Sequence, residues 1–313
     1  MEGNKKPKIL TSFNTSLCLL LILYSLIFFA FLPWTKLSAQ TWVFILLFDF
    51  IFLRLTNIMW HLAHESIHGA LFPVRKFNNL MGKILGVFLL SSYTTLNIGH
   101  MIHHKTNRIS DVTDLYFEKN KPNFFSYYFD ILGGFYWLYC FLLCFLCFFP
   151  QKILSKITRL ILKKNRDPRK KQLYMNAQNF IQNKKIMKKV RIETIIMCFY
   201  FLLCSYAFYK NNLINFWIGH LLIRSCLFSY LNNMPHYGNK LDEVSASDTS
   251  WLPKPLARIY LNFNYHKTHH DNPTAPWHIL PRLFKEQKGS YNKNYILDYG
   301  SQLKGPIYYK KVE

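Results

Sequence analysis

The run from Ile9 to Thr35 carries no charged residue, and it is almost wholly apolar from Leu17 to Trp34. A helix needs about 20 such residues to cross a bilayer, so this run predicts a membrane-spanning helix. A cleaved signal peptide is the alternative, but its apolar core would be shorter, and a second hydrophobic block follows at once. We therefore expect a retained helix in a multi-pass protein. Its predicted spans cover residues 10–34, 37–60, 192–209 and 213–231.

The basic residues are concentrated between the hydrophobic blocks. The chain has a formal net charge of +23, and residues 151–191 contain fourteen Lys or Arg but a single acid, Asp167. A nucleic-acid-binding domain would instead combine basic and exposed aromatic residues on a compact surface. Because basic loops remain in the cytoplasm, the 151–191 linker is predicted to be cytoplasmic, and the turns at 33–40 and 210–212 face away. The membrane is either a bacterial inner membrane or the endoplasmic reticulum, and the sequence leaves this open.

The apolar block at 124–149 does not fit this count of crossings. A single crossing there would move the basic linker outside, against the positive-inside rule. We expect an embedded segment that does not cross and that is broken at Gly133-Gly134. The predicted fold is an all-α integral membrane protein, a single domain over residues 1–313. It has about four transmembrane helices, interfacial or embedded helices, and a cytoplasmic histidine-rich cap.

Eight histidines form three clusters with helical spacing: His64 and His68; His100, His103 and His104; and His266, His269 and His270. Positions i, i+3 and i+4 share one face of a helix, so each cluster can direct its imidazoles at one place. Imidazole binds iron, zinc, copper or nickel well, and magnesium or calcium poorly. With His236 there are nine donors, whereas a zinc site uses about three or four protein ligands. The count favours two transition-metal ions of higher coordination number.

The clusters lie in the motifs H-E-S-I-H at 64–68, H-M-I-H-H at 100–104 and H-K-T-H-H at 266–270. These motifs resemble the three histidine boxes of the integral-membrane fatty acid desaturase and hydroxylase family. The flanking residues are similar too, including Asn272-Pro273 and Pro276-Trp277 after the third box. The resemblance covers about residues 40–285.

The resemblance implies a non-haem diiron centre that uses O2 to oxidise a lipid chain, most directly as a fatty acyl desaturase. A lipid or carotenoid hydroxylase or ketolase is the alternative within the family. The implied ligands are His64, His68, His100, His103, His104, His236, His266, His269 and His270, with Asn232 bound through water. The sequence contains no His-Pro-Gly-Gly haem motif. We therefore expect electrons from a separate ferredoxin or cytochrome-type protein that docks on the basic cytoplasmic face.

Five residues near the ligands are candidates for orienting the imidazoles: Glu65, Asp111, Asp114, Asp271 and His61. Metal-bound histidines commonly donate their second ring N–H to a carboxylate, a carbonyl or water. Carboxylates also occur at the membrane boundary as solvated groups without any role at a metal. Both interpretations stay open on the sequence.

Two other classes of protein are compatible with parts of the pattern. H-E-S-I-H satisfies the H-E-x-x-H signature of zinc metalloproteases, in which the glutamate is the general base. A protease needs only one further ligand, which leaves both H-x-x-H-H boxes unexplained. A metal transporter would place its ligands near the bilayer midplane, inside the spans. The clusters here lie at span ends, which favours a catalytic centre at the membrane surface.

Overall fold

The computed structural model describes residues 8–35, 38, 40–41, 57–108, 114–116, 121–131, 133–164, 168–241, 243 and 245–309. The fold is mostly helical (70%), which confirms the predicted all-α class. Two parallel pairs of very short strands join the C-terminal region to loops near the histidines. These pairs are β1 (Leu115–Tyr116) with β4 (Ile307–Tyr308), and β2 (Ser250–Trp251) with β3 (Lys293–Asn294).

The helices are named in the order in which they occur along the described residues. In chain order they are α1 (Thr11–Ser25), α2 (57–68), α3 (Arg75–Phe88), α4 (Tyr93–Thr106), α5 (Phe124–Ile131), α6 (Phe135–Phe145), α7 (Gln151–Lys164), α8 (Pro168–Gln182), α9 (Lys184–Lys210), α10 (Ile214–Asn233), α11 (Lys254–Ile259), α12 (His266–Asp271), α13 (Leu280–Glu286) and α14 (Tyr295–Ser301). α1 continues as a π-helix over Leu26–Phe31 and a 3-10 turn over Leu32–Trp34.

Two helices among the described residues are long and apolar enough to cross a membrane. They cover Thr11–Trp34 and Lys184–Lys210, and they coincide with the spans predicted at 10–34 and 192–209. Leu20 on α1 and Phe199 on α9 expose more than half of their surface, which suits contact with lipid. α10 occupies the region of the span predicted at 213–231. Most of the span predicted at 37–60 lies outside the described residues.

The main hydrophobic core joins the first four helices to α9 and α10. Cys18 of α1, Leu62 of α2, Leu85 of α3, Met197 of α9 and Trp217 of α10 are all buried in it. The core therefore fixes α2 and α4, which carry the first two histidine boxes, against the two long helices α9 and α10.

The apolar block at 124–149 is broken where the sequence predicts. α5 ends at Ile131 and α6 begins after Gly134, whose φ of +71° lies in the left-handed region that favours glycine. A Cβ atom on Gly134 would lie 2.6 Å from the carbonyl carbon of Ser225 and 2.7 Å from the amide nitrogen of Cys226. Glycine at this position therefore allows α6 to start in close contact with α10.

Replacing Gly134 with alanine is expected to destabilise the protein by about 1–3 kcal/mol, because backbone strain and steric overlap both oppose it. The measurement is the thermal unfolding midpoint in detergent. Gly219→Ala on α10 is the matched control, since a Cβ atom there meets no neighbouring heavy atom of the described chain within 4 Å. Equal midpoints for the two variants would contradict this explanation of the break.

Candidate metal centre

All nine histidines of the expected ligand set come together in two adjacent groups. The five-histidine group comprises His64, His68, His100, His104 and His269, and the four-histidine group comprises His103, His236, His266 and His270. Within each group the candidate ligand nitrogens lie within 4.8 Å of one another. Each group therefore offers a place where one metal ion would contact several imidazoles.

Each H-x-x-H-H box contributes to both groups. The residues four apart, His100 with His104 and His266 with His270, stay in one group, while His103 and His269 belong to the other. On a helix, residue i+4 is rotated about 40° from residue i, whereas i+3 is rotated about 60° in the opposite direction. The rings of His104 and His270 stack with centroids 4.4 Å apart, so the two groups share a boundary.

The Nε2 atoms approach one another closely. Nε2 of His100 lies 2.8 Å from Nε2 of His68 and 3.0 Å from Nε2 of His104. Nε2 of His236 lies 3.0 Å from Nε2 of His266. Two nitrogens bound to one ion at about 2.0–2.1 Å would be roughly 2.9 Å apart at a right angle and roughly 3.3 Å apart at the tetrahedral angle. Nε2 of His269 lies 3.2 Å from Nε2 of His104, and Nε2 of His270 lies 3.2 Å from Nε2 of His266. The separations therefore span both values, as expected of imidazoles that can share one ion.

Hydrogen bonding between histidines does not account for this crowding, because a neutral imidazole has only one N–H to donate. Burial keeps the imidazoles neutral: it lowers the pKa of His68 to about 3 and the pKa values of His103 and His104 to about 4. Burial, followed by repulsion from neighbouring histidines, also holds the pKa values of His64 and His269 well below their usual range. Neutral imidazole is the form that binds a metal ion, so the centre is ready for metal at neutral pH.

A cavity of about 390 Å³ borders both groups. Its lining includes the ligand candidates His64, His100, His103, His236 and His266 and the side chains of Trp60, Ile131, Tyr139 and Phe263. Asn232 lines the same cavity, and its amide nitrogen donates to the carbonyl oxygen of Phe228 at 2.8 Å. A molecule bound here would lie against histidines of both groups.

Comparison with known protein families gives the class of this chain. The Fatty acid desaturase family model matches residues 40–299, more than four fifths of the sequence. The chain belongs to the fatty acid desaturase family. No curated protein and no solved structure matched it. As a member of the fatty acid desaturase family the protein is an oxidoreductase, and its two apolar helices agree with association with a membrane.

Glu65 connects the first box of this desaturase-family protein to the segment that follows the third box. It is buried, and its Oε2 accepts a hydrogen bond from the backbone amide of Trp277 at 3.0 Å. Its Oε1 lies 3.8 Å from Nδ1 of His64, which is too long for a hydrogen bond. Burial raises the pKa of Glu65 to about 8. A glutamate engaged by a backbone amide in this way differs from the free general base that the metalloprotease interpretation requires.

The acids after the second box lie beside the cavity or outside the described residues. Asp114 forms a buried ion pair with Arg108, at 2.9 Å, and accepts a hydrogen bond from the amide of Gly238 at 2.7 Å. Asp114 and Arg108 both line the cavity. Asp111 lies outside the described residues. Asp114 therefore stabilises the cavity wall by its ion pair with Arg108 and its hydrogen bond with Gly238.

The other two candidates lie next to the centre in different ways. Asp271 pairs with Lys267 at 3.4 Å at the partly exposed surface of α12. His61 belongs to neither group, and its ring stacks on Phe263 with centroids 4.0 Å apart. Phe263 in turn lies 4.7 Å from the ring of His266. His61 therefore supports an aromatic side chain of the cavity wall.

Glu193 is a residue that our sequence analysis missed. It lies on α9, is only 7% exposed, and accepts three hydrogen bonds from the start of α4. The donors are Ser92 Oγ at 2.7 Å, the Thr94 amide at 2.8 Å and Thr94 Oγ1 at 2.9 Å. A carboxylate is favoured at a helix N-terminus, where backbone amides are unpaired. The one sequence signal was an isolated acid at the start of an apolar run.

Proposed function

We propose that the protein is a diiron, O2-dependent oxidoreductase that introduces a double bond into a fatty acyl chain. The observation that carries this proposal is the cavity of about 390 Å³, which is bordered at once by both histidine groups and by Trp60 and Phe263. A lipid methylene group has no acidity that an acid or base could use, so its oxidation needs the oxidising power that iron provides with O2 and two electrons. Family membership supports the same class of reaction.

The donor set fits two iron ions. Among the described residues both groups consist of imidazoles, five in one and four in the other. Together with one or more water or substrate ligands, these numbers suit ions with five or six ligands, which favours iron over four-coordinate zinc. In our proposal the five-histidine group holds one iron and the four-histidine group holds the second, with Asn232 completing the second site through water.

In our proposal the aromatic residues of the cavity hold the acyl chain beside the histidines. Trp60 packs edge-on against His100 and Phe228, with centroids 6.2 and 5.4 Å apart. Phe263 is fixed between His61 and His266. Rigid walls matter because a displacement of about 1 Å in a reacting group can change a rate about 100-fold. If the substrate is placed differently at the same centre, the alternative outcome is hydroxylation or ketolation of a lipid or carotenoid.

We also propose four membrane crossings, at 10–34, 37–60, 192–209 and 213–231, with both histidine groups on the cytoplasmic face. The two apolar helices and the basic first turns of α9 support this topology. The segment at 124–149 then enters the membrane without crossing. The two electrons come from a separate cytoplasmic protein of the ferredoxin or cytochrome type.

Expression in a host of known lipid composition, followed by mass spectrometry of its lipids and metal analysis of the purified protein, tests the proposal. We expect about two irons per chain, as in two-metal sites, and a new double bond in an acyl chain. A hydroxylated or ketolated product would instead identify the alternative reaction of the family. One zinc per chain together with unchanged lipids would contradict both.

A further inference from the structure

The helix α7 has two apolar sides, and the described part of the chain covers only one of them. Leu154 and Thr158 are buried, and Leu154 packs in a small hydrophobic cluster with Met187 and Val190 of α9. The same cluster contains Ile181 of α8, the helix that packs most closely on α7. The cluster therefore joins α7 and α8 to the first turns of α9, a helix that is apolar enough to cross a membrane.

The second apolar side is an exposed aliphatic stripe. It consists of Ile153, Ile157 and Leu160, which are 50%, 49% and 58% exposed. At 3.6 residues per turn the three side chains fall within an arc of about 60°, and the centre of this arc lies about 110° from the buried side. A helix that packs sideways against a bundle and also rests on a membrane needs its two apolar sides about a quarter turn apart.

Exposed basic residues border the stripe on its other side. Lys152, Lys156 and Arg159 lie about 70–130° from the centre of the stripe, away from the buried side. The order around the helix is therefore protein contact, aliphatic stripe and basic side. This is the pattern of a helix that lies in the boundary of an anionic bilayer, where long basic side chains reach the headgroups.

The hydrophobic cluster shared with α8 and α9 sets the position of α7 along the axis of α9. The exposed apolar surface of α9 begins at Ile192 and continues through Ile195 and Phe199. Val190 and Met187 precede Ile192 by two and five residues, which is about 3 and 8 Å along the axis at 1.5 Å per residue. Interfacial helices insert their apolar side about 5–10 Å into the boundary between headgroups and acyl chains.

We propose that α7 lies on an anionic phospholipid surface, with the aliphatic stripe in the boundary region and the basic residues on lipid phosphates. This role is independent of the metal chemistry. In this proposal the basic residues of α7 bind lipid and do not form the docking site for an electron donor. A soluble acidic protein would pair with the basic residues but would leave the aliphatic stripe exposed to water. The site recognises phosphate-bearing headgroups presented in a bilayer.

Hydrogen exchange of the full-length protein in lipid nanodiscs tests this proposal. The discs contain phosphatidylcholine alone or a mixture with phosphatidylglycerol. We expect exchange of the α7 amides to slow by about fivefold or more in the anionic discs, the effect of one or more basic residues near an anionic surface. High salt should remove the difference.

Variants separate the two parts of the surface. The charge-reversed triple variant Lys152→Glu, Lys156→Glu, Arg159→Glu is expected to lose the dependence on anionic lipid. The variant Ile153→Ser, Ile157→Ser, Leu160→Ser is expected to exchange faster in both kinds of disc. The matched control reverses three exposed lysines outside α7, namely Lys254, Lys285 and Lys288, and should behave as the wild type.

Three results would overturn the proposal. Equal exchange of wild-type α7 in both kinds of disc would exclude recognition of anionic lipid. Slowing by soluble glycerol phosphate in phosphatidylcholine discs would indicate a phosphate site in place of a membrane surface. Slowing only when an acidic electron-transfer protein is added would identify α7 as a protein-docking site. The wild-type comparison stands even if a triple variant fails to fold.

Discussion

Replacing His269 with alanine is expected to empty the five-histidine group of metal and to abolish product formation. His269 is the one ligand of this group that comes from α12, and its Nε2 lies 3.2 Å from Nε2 of His104. The remaining four ligands lie on α2 and α4, so the group loses its one ligand on the side of α12. Since loss of a residue that merely orients a ligand costs about 10–100-fold in metal affinity, loss of a ligand should cost at least about 100-fold.

Metal content after dialysis against a weak chelator measures this effect. The four-histidine group does not include His269, so we expect one of the two metal ions to remain. His278→Ala is the matched control, because His278 belongs to neither group and its Nε2 lies 3.0 Å from the carbonyl oxygen of Lys8. A His269→Ala protein with wild-type metal content would show that the five-histidine group does not bind metal.

Glu193→Ala is expected to weaken both metal sites at once and to destabilise the protein. The substitution leaves the Thr94 amide and the Ser92 and Thr94 hydroxyls without their acceptor. Hydrogen bonds to charged groups contribute about 1.5–3 kcal/mol each, so a loss of about 3 kcal/mol or more is expected. α4 carries His100 and His104 of one group and His103 of the other, so displacement of α4 disturbs both.

The measurements are the unfolding midpoint, the metal content after chelation and the absorption spectrum of the cobalt-loaded protein, which reports ligand geometry. Glu193→Gln keeps one acceptor oxygen and should give a smaller loss in each. Glu286→Ala is the control, since Glu286 forms an exposed ion pair with Arg282, of a kind worth about 0–1 kcal/mol. Lower stability with unchanged metal content and spectrum would contradict a role for Glu193 in positioning the ligands.

The sequence was sufficient to predict the helical character of the fold and to place nine histidines in one centre. Local periodicity grouped eight of them, because i, i+3 and i+4 spacing determines which side chains share a helix face. The resemblance to the desaturase family implied His236 and a common centre for the clusters. Local backbone chemistry likewise predicted the break between α5 and α6, where Gly134 takes a positive φ. The motif H-E-S-I-H alone could not separate a protease from an oxidoreductase, since Glu65 is adjacent to a ligand in both interpretations.

Contacts between distant residues could not be predicted in this way. Glu193 is 99 residues from Thr94, and Gly134 is 91 residues from Ser225, yet each pair is within hydrogen-bonding distance. The cavity wall combines Trp60 of α2 with Phe263 of the turn before α12. The single sequence contains no periodic signal for such pairs, because their approach depends on how whole helices pack.

By itself the sequence determined the residue types of this protein: apolar runs long enough for a membrane, a basic linker, and eight imidazoles with helical spacing beside a ninth at His236. Only the tertiary structure decided how the nine divide into five and four and which side chains enclose the space beside them. The physical reason is that spacing sets the direction of a side chain on its own helix, whereas helix packing sets what that side chain meets. The division into two groups arises where α2, α4, α12 and the segment after α10 converge.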